Sequence, residues 1–373
     1  MAAFNLVVKD LRRDPPGGLS RHAANLIVAE KEKGFDLTVG PLIRATLLQL
    51  TDGESLLLLT IHHIVSDYWS MKVLLRELGT LYEAFSQRRS SPLADPDVQF
   101  VDYASWERRS LDTGLLGDEA AYWEKQLAEL SREYAFKKLI PRNRRSHLQR
   151  GQHPLQLDET LFAAIRTACR KEHCTPFMIV VTALSIALHR YTGQSDVRVG
   201  TLMAGRVRKE IENAIGPFLN TIILRIHVSP TSTMTEVLAQ VRSANLAAHG
   251  KQQLPFEYLA RRLEAKHTVP RASLFDVLLN YQISSRECLE SGGLRIASLG
   301  TENVEEDYKL IPTTYHLIFK LRESSTGVTG TVNYSVAEFS MTDIVSLLGS
   351  FDSVVKNLVA DTNLKGNQIY GTD

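Results

Sequence analysis

Ser55–Ile61 carries four consecutive leucines followed by Thr60 and Ile61, between the turn Thr51-Asp52-Gly53-Glu54 and the pair His62-His63. A run this short and this apolar reads as a β-strand buried on both faces, as central sheet strands are. Immediately beyond the histidines the period changes. From Ser70 to Phe85 the apolar residues Leu74, Leu78, Leu81 and Phe85 recur at helical spacing, which predicts an amphipathic helix. The chain is thus committed to a strand–turn–helix unit. The two histidines sit on its short connection, where rigid scaffolds commonly carry working groups.

The same alternation runs through the rest of the chain. Asn5–Asp10 reads as a strand, and Leu42–Leu50 follows Asp36 and Gly40-Pro41 as another. Gln87–Gln99 is polar, contains two prolines and is expected to be a loop; a helical region from Tyr103 to Leu130 is broken near Gly114 and Gly117. Helices are predicted over Leu161–Lys171 and from Pro176 to Tyr191, the second with Thr175 as N-cap, proline in the first turn and Gly193 as stop. Strands follow at Val197–Met203 and Leu219–Val228, then a helix opened by the capping box of Thr233 and Glu236 and ending near His249. Phe275, Val277, Leu279 and Tyr281 alternate as a half-buried strand. The strands His316–Glu323 and Gly327–Ser335 precede a last helix from Met341 to Val359. Strands and helices mixed in both halves predict an α/β fold of the α+β sandwich type.

At 373 residues the chain exceeds one ordinary core, so two lobes are expected. The boundary is placed in Lys137–Arg150, which holds six cations and no acid, giving lobes 1–140 and 141–373. That run reads either as a solvated linker or as a contact for a phosphate-bearing arm. A net charge of +1 with both signs interspersed points to neither nucleic acid nor an anionic membrane. No apolar stretch is long enough to span a bilayer, and the first residues lack a secretory pattern. Three scattered cysteines suit a reducing cytoplasm. Cys169 and Cys174, with His173 beside them, match no usual zinc spacing, and their helical context favours packing over a metal site.

The chemistry concentrates in His62-His63-Ile64-Val65-Ser66-Asp67-Tyr68-Trp69-Ser70. A neutral imidazole can accept or steer a proton at cellular pH. An aspartate four residues on can fold back over the turn and fix it by binding backbone or an arginine. An amine attacking a thioester must lose a proton, so a histidine at the attack point can serve as general base. Neither a nucleophile elbow nor a catalytic-cysteine context is present. By itself a His–Asp pair at this spacing is equally compatible with a structural role.

HHIVSDYWS resembles the HHxxxDG motif of condensation domains of nonribosomal peptide synthetases, and further resemblances follow in that family's order. They are Asp36-Leu37 with Gly40-Pro41-Leu42-Ile43-Arg44, Asp102-Tyr103-Ala104 with Trp106, and Tyr191-Thr192-Gly193-Gln194 with Gly200-Thr201 and Ala204-Gly205-Arg206. Ile215-Gly216-Pro217-Phe218-Leu219-Asn220-Thr221 with Arg225, and Leu254-Pro255-Phe256-Glu257, complete the set. The resemblance implies two chloramphenicol-acetyltransferase-like lobes in a V with a central tunnel. Donor and acceptor carrier proteins would bring an acyl or peptidyl thioester and an aminoacyl group on 4′-phosphopantetheine arms. No cofactor or metal bound by the domain itself is implied; adenylation or polyketide synthase modules are the expected neighbours. Carried over by position, His63 is the catalytic histidine, acting as base or positioning the amine, and His62 packs or orients. Asp67 is structural and paired with an arginine, for which Arg225 is nominated. Tyr68, Trp69, Ser70 and Asn220 are candidates for the tunnel wall, and Pro255-Phe256-Glu257 for lobe support.

Two departures bear on function. The glycine after the motif's aspartate is Tyr68 here, whose ring either narrows the tunnel or turns into a neighbouring core. The family's SxAQxRLW-type and RHExLRT openings are not found, which suggests a first lobe short of its N-terminal part. The resemblance leaves open a variant chemistry on a modified or dehydrated residue, epimerisation, a free-standing acyltransferase using a soluble amine or alcohol, and a non-enzymatic recruitment module. The Pro255-Phe256-Glu257 motif weighs against epimerisation, and the intact His62-His63 against recruitment.

Overall fold

The structure, a computed structural model, describes residues 4–14, 20–128, 150–266, 274–275, 277–283, 288–291, 294–297, 315 and 317–360. It divides into two compact units, one of residues 1–106 with Arg206–Phe218, the other of 107–205 with 219–373. Residue 140, the boundary expected from sequence, lies outside the described residues, as does the cationic run except Arg150. Arg206–Phe218 is separated from the rest of its unit by a hundred residues of chain, a grouping that local sequence patterns do not reveal.

The first unit is built on a three-stranded sheet in the order β1-β2-β3, formed by β1 (Leu6–Asp10), β2 (Ile43–Gln49) and β3 (Ser55–Ile61). β1 runs parallel to β2 and is joined to it through α1 (Arg21–Glu32), whose N-cap Ser20 accepts from the Ala23 amide. β2 and β3 form an antiparallel hairpin in which Ile43 faces Ile61. Leu11, Ala23 and Leu48 make its small core, with Leu26, Leu50, Leu56 and Leu58 packed around them. β3 has the predicted bounds but not the predicted burial. It lies at the edge of the described sheet, and Leu57 is 36% exposed. Beyond it come α2 (Tyr68–Ser86) and α3 (Phe100–Asp112), the latter divided between the two units. The expected α2 stripe is only half-buried, and Phe85 is exposed. Ser70, Val73, Gly79 and Ala84 are the buried positions, because that helix packs by its small residues.

The second unit holds the main core. Its six-stranded sheet runs β4-β11-β10-β7-β5-β6, made of β4 (Arg150–Leu157), β5 (Asp196–Met203), β6 (Asn220–His227), β7 (Val277–Ile283), β10 (Leu317–Ser324) and β11 (Gly327–Ser335). β8 (Cys288–Ser291) and β9 (Leu294–Ala297) form a separate hairpin. The helices are α4 (Gly117–Gln126), α5 (Glu159–Glu172), α6 (Pro176–Thr192), α7 (Met234–His249), α8 (Phe256–Ala265) and α9 (Met341–Ala360). α6 is buried throughout from Met178 to His189. Its apolar character on every face requires such a position, and each fully buried Ile or Leu contributes about 1.5–3 kcal/mol. Its ends are those predicted: Thr175 Oγ1 accepts from the Met178 amide, and Gly193 stops the helix at φ 72°. The Thr233–Glu236 capping box opens α7 with both reciprocal bonds. Among the described residues no single helix is long and apolar enough to cross a membrane.

Candidate active site

The histidine segment is held at both ends. The His62 amide donates to the Leu42 carbonyl (3.0 Å), continuing the β2–β3 ladder. His62 Nδ1 accepts from the Ile64 amide (3.0 Å) and so caps the 3-10 turn His63–Val65. An accepting Nδ1 leaves the proton of a neutral ring on Nε2, which fixes the His62 tautomer. The other side of this ring meets Phe35 edge-on at 5.9 Å, and the Arg44 guanidinium lies 3.9 Å over Phe35. Arg44 is itself tied to Glu30 (2.6 Å) and to the carbonyls of Lys33 and Gly34. His62 thus caps the turn that His63 opens. His63, next in sequence, is exposed, and its imidazole makes no hydrogen bond to a described residue.

At the far end Asp67 is the N-cap of α2 and is 4% exposed. Its Oδ1 accepts from the Ser70 amide (2.8 Å), and Arg206 Nη2 lies at 3.0 Å. Its Oδ2 accepts from the Phe218 amide (3.1 Å). Ser70 Oγ lies 2.7 Å from Asp67 Oδ1 and 2.8 Å from the Gly216 carbonyl, while accepting from Arg206 Nη2 (2.9 Å) and the Gly216 amide (3.0 Å). Its single proton can go to either acceptor, and both donors stay satisfied.

Arg206 reaches this place because Gly205 turns the chain at φ 68°, a conformation that strongly favours glycine. Burial lowers the Arg206 pKa, and Asp67 pulls the other way; an arginine keeps its charge at any physiological pH. Its Nε and Nη1 are buried without a hydrogen-bond partner among the described residues. The guanidinium instead lies 4.2 Å over the Phe218 ring, a contact worth about 2 kcal/mol or more when desolvated. Phe218 packs on Phe100 (5.1 Å) and Tyr103 (4.9 Å) beside Ile211 and Ala214. Gly216 is pressed so closely on Phe100 that a Cβ there would come within 2.5 Å of the ring. The 206–218 segment is fixed to α2 twice more, through Trp69 Nε1 to the Glu212 carbonyl (2.9 Å) and Arg76 Nη2 to Asn213 Oδ1 (2.9 Å).

Two expectations are corrected. Arg225 is not the partner of Asp67: its Nε pairs with Asp196 (2.8 Å), and its Nη1 donates to the Gln126 and Ala128 carbonyls. Ser70 lines no wall, because it is wholly buried in the Asp67 network. Asn220 has its whole amide committed within the second unit, donating to the Gln252 and Leu254 carbonyls (2.8 Å each) and accepting from the amides of Thr221 and Phe256 (2.9 Å each). This ties β6 to the start of α8, where Pro255-Phe256-Glu257 falls. Tyr68 does not turn into a core: the residue is 42% exposed, with Lys72 Nζ 4.8 Å over its ring. As the first residue of α2 it needs no positive φ. Trp69 is 38% exposed. Arg206 had a visible signal, a glycine directly before an arginine at the end of a strand.

The condensation-domain family profile matches residues 4–371. One of the linear gramicidin synthase proteins of Brevibacillus parabrevis is 34% identical over 354 residues, which is 95% of this chain and 7% of that protein. Malpibaldin synthetase of Mortierella alpina is 34% identical over 358 residues, 95% of this chain and 6% of that protein. The chain therefore spans a small fraction of these curated relatives. Among solved structures, the complex of the X-domain and OxyB from teicoplanin biosynthesis matches at TM-score 0.74 and 25% identity, over all of this chain and 80% of the other. The condensation domain of the monacolin K polyketide synthase MokA matches at TM-score 0.75 and 20% identity, over 97% and 80%, and shares the fold. By the profile match over nearly its whole length and the identity to these synthetases, the chain belongs to the condensation domains, the amide-forming acyltransferases of nonribosomal peptide synthetases.

Proposed function

We propose that this domain joins an acyl or peptidyl thioester on one carrier protein to the amine of an aminoacyl group on another, both held on 4′-phosphopantetheine arms, with His63 as the catalytic residue. The amine nitrogen attacks the thioester carbonyl, a C–N bond forms, the C–S bond breaks, and the donor arm leaves as a thiol. The proton lost by the amine passes to His63 or is steered by it. The observation that carries this reading is an exposed imidazole on a turn whose two ends are fixed, by the His62 cap and by the buried Asp67 network. A free imidazole on a rigid mount suits proton transfer, worth about a hundred- to ten-thousand-fold in rate. His62 and Asp67 then act by positioning. Tyr68 and Trp69, half-exposed beside the turn, are the proposed contacts for the acyl group.

The test presents a donor carrier loaded with an acyl thioester and an acceptor carrier loaded with an amino acid, and follows the new amide by mass. The native domain is expected to form it, and His63→Ala to lose at least a hundredfold in rate with unchanged thermal unfolding. Undiminished transfer by His63→Ala would overturn the assignment. A recruitment module is a second reading, favoured by the similarity to an X-domain solved with OxyB. On that reading the native domain makes no amide with any carrier pair and binds a tailoring enzyme whether or not His63 is present.

A further inference from the structure

Cys169 and Cys174 remain unaccounted for by the acyl-transfer chemistry. α5 ends with His173 in the left-handed region (φ 51°, ψ 48°), unusual for a residue with a side chain. The His173 and Cys174 amides both donate to the Cys169 carbonyl, the second at 3.0 Å. This is the Schellman ending of a helix, in which the residue two beyond the helix bonds back to the third from its end, and their side chains meet. Both of those residues are cysteines here, and Cys174 packs against the core cluster that contains Cys169. Cys174 is then locked by the next element, since Thr175 caps α6 and Pro176 follows. The two thiols differ in access: Cys169 is buried and Cys174 half-buried, and both are free.

We propose that Cys169 and Cys174 form a reversible thiol–disulfide exchange site that reacts with low-molecular-mass disulfides. The Cys174 thiolate attacks a sulfur of the small disulfide, a mixed disulfide forms, and one thiolate leaves. The Cys169 thiol gives up its proton, and its sulfur attacks Cys174 Sγ. The internal bond closes and the second small thiolate leaves. In sum two protein thiols are oxidised and one small disulfide is reduced to two thiols. The roles follow from the surroundings. The neighbouring Cys169 thiol lowers the Cys174 pKa against the opposing effect of burial, with the Arg242 charge acting in the same sense, whereas the Cys174 thiol and burial raise the Cys169 pKa. Arg242 on α7 reaches this corner, donating to the Glu172 and His173 carbonyls at 3.5 Å. Glu172 acts in the opposite sense on Cys174. Thiolate character and access decide which cysteine reacts first.

The sequence supplies a clean readout, because Arg170 and Lys171 lie between the two cysteines. The folded domain is incubated with glutathione disulfide, remaining thiols are alkylated in denaturant, and the chain is cut with trypsin. The expected product is residues 167–170 linked to residues 172–190, absent after prior reduction with dithiothreitol. Cys169→Ser is expected to stop at a glutathione adduct on Cys174. Cys174→Ser is expected to leave Cys169 unmodified while the domain is folded. Recovery of both cysteines as alkylated thiols from the native domain, or linkage only once it is unfolded, would overturn the proposal and leave the pair a packing contact. Neither result depends on acyl transfer, so the outcome is independent of the function proposed for His63.

Discussion

Two arginine–aspartate pairs of nearly equal length occupy opposite environments. Asp67–Arg206 is 3.0 Å long with both side chains 2% exposed; Asp196–Arg225 is 2.8 Å long with side chains 30% and 29% exposed. The second is a solvated brace between neighbouring strands, β5 and β6, whose loss water largely compensates. The first has no water to fall back on, so each charge depends on the other and on the Ser70, Gly216 and Phe218 groups around them. Distance therefore says little about what an ion pair does. Burial, and the bonds around the pair, decide whether it merely decorates a surface or fixes a loop. Here the buried pair fixes the loop that bears His63.

The largest expected effect is that of Arg206→Ala. Removing one partner leaves a buried charge uncompensated, at about 3–5 kcal/mol, read as a fall in the denaturant midpoint; a loss below about 1 kcal/mol, the ceiling for exposed pairs, would put the two pairs in one class. Ser70→Ala and Gly216→Ala come next. The first strips the Gly216 amide and Arg206 of an acceptor, at about 1–3 kcal/mol. The second drives a methyl into Phe100 at a similar cost of about 1–3 kcal/mol. Both are measured by thermal unfolding, and both should slow acyl transfer with His63 untouched. Arg225→Ala is expected to cost about 1 kcal/mol or less and to leave transfer unchanged. The smallest effect belongs to another partly exposed group, Glu124, whose carboxyl the Lys266 ammonium and then the Arg262 guanidinium hold below its ordinary value of 4.5. A depressed carboxyl pKa contributes stability above the unfolded value, lost as pH falls through the folded one. The stability difference between native and Glu124→Gln should thus be present at neutral pH and vanish on acidification below 4.5. A difference that persists in acid would contradict it.

Elements whose signals are local were legible in the sequence. α6 announces itself by Thr175, Pro176 and Gly193, and α7 by its capping box, since those bonds close within a few residues. The hairpin of β10 and β11 shows as two β-rich runs about a short turn. α1, β4 and α8 were missed: α1 has only Ala23 wholly buried, β4 is broken by Pro154, and α8 opens without a side-chain cap. At the site, His62, His63 and Asp67 stood out because they fall on one strand–helix connection. The partner of Asp67 did not, since it lies 139 residues away and Arg206, Arg208 and Arg225 all follow β5 with equivalent charge. Only the left-handed glycine before Arg206 separates them, and its meaning depends on where the chain goes next. Ser70 misled for the same reason: proximity to the histidines in sequence suggested access, but the first turn of α2 faces it inward onto Asp67.

The most direct test of the account is a pair of double-mutant cycles sharing Asp67→Asn, one with Arg206→Gln and one with Arg225→Gln, read in unfolding free energy. Coupling of about 0.5–3 kcal/mol is predicted for Asp67 with Arg206, and additivity within about 0.5 kcal/mol for Asp67 with Arg225. Additive behaviour at Arg206, or coupling at Arg225, would contradict the claim that a buried pair from a distant segment holds the His63 turn in place.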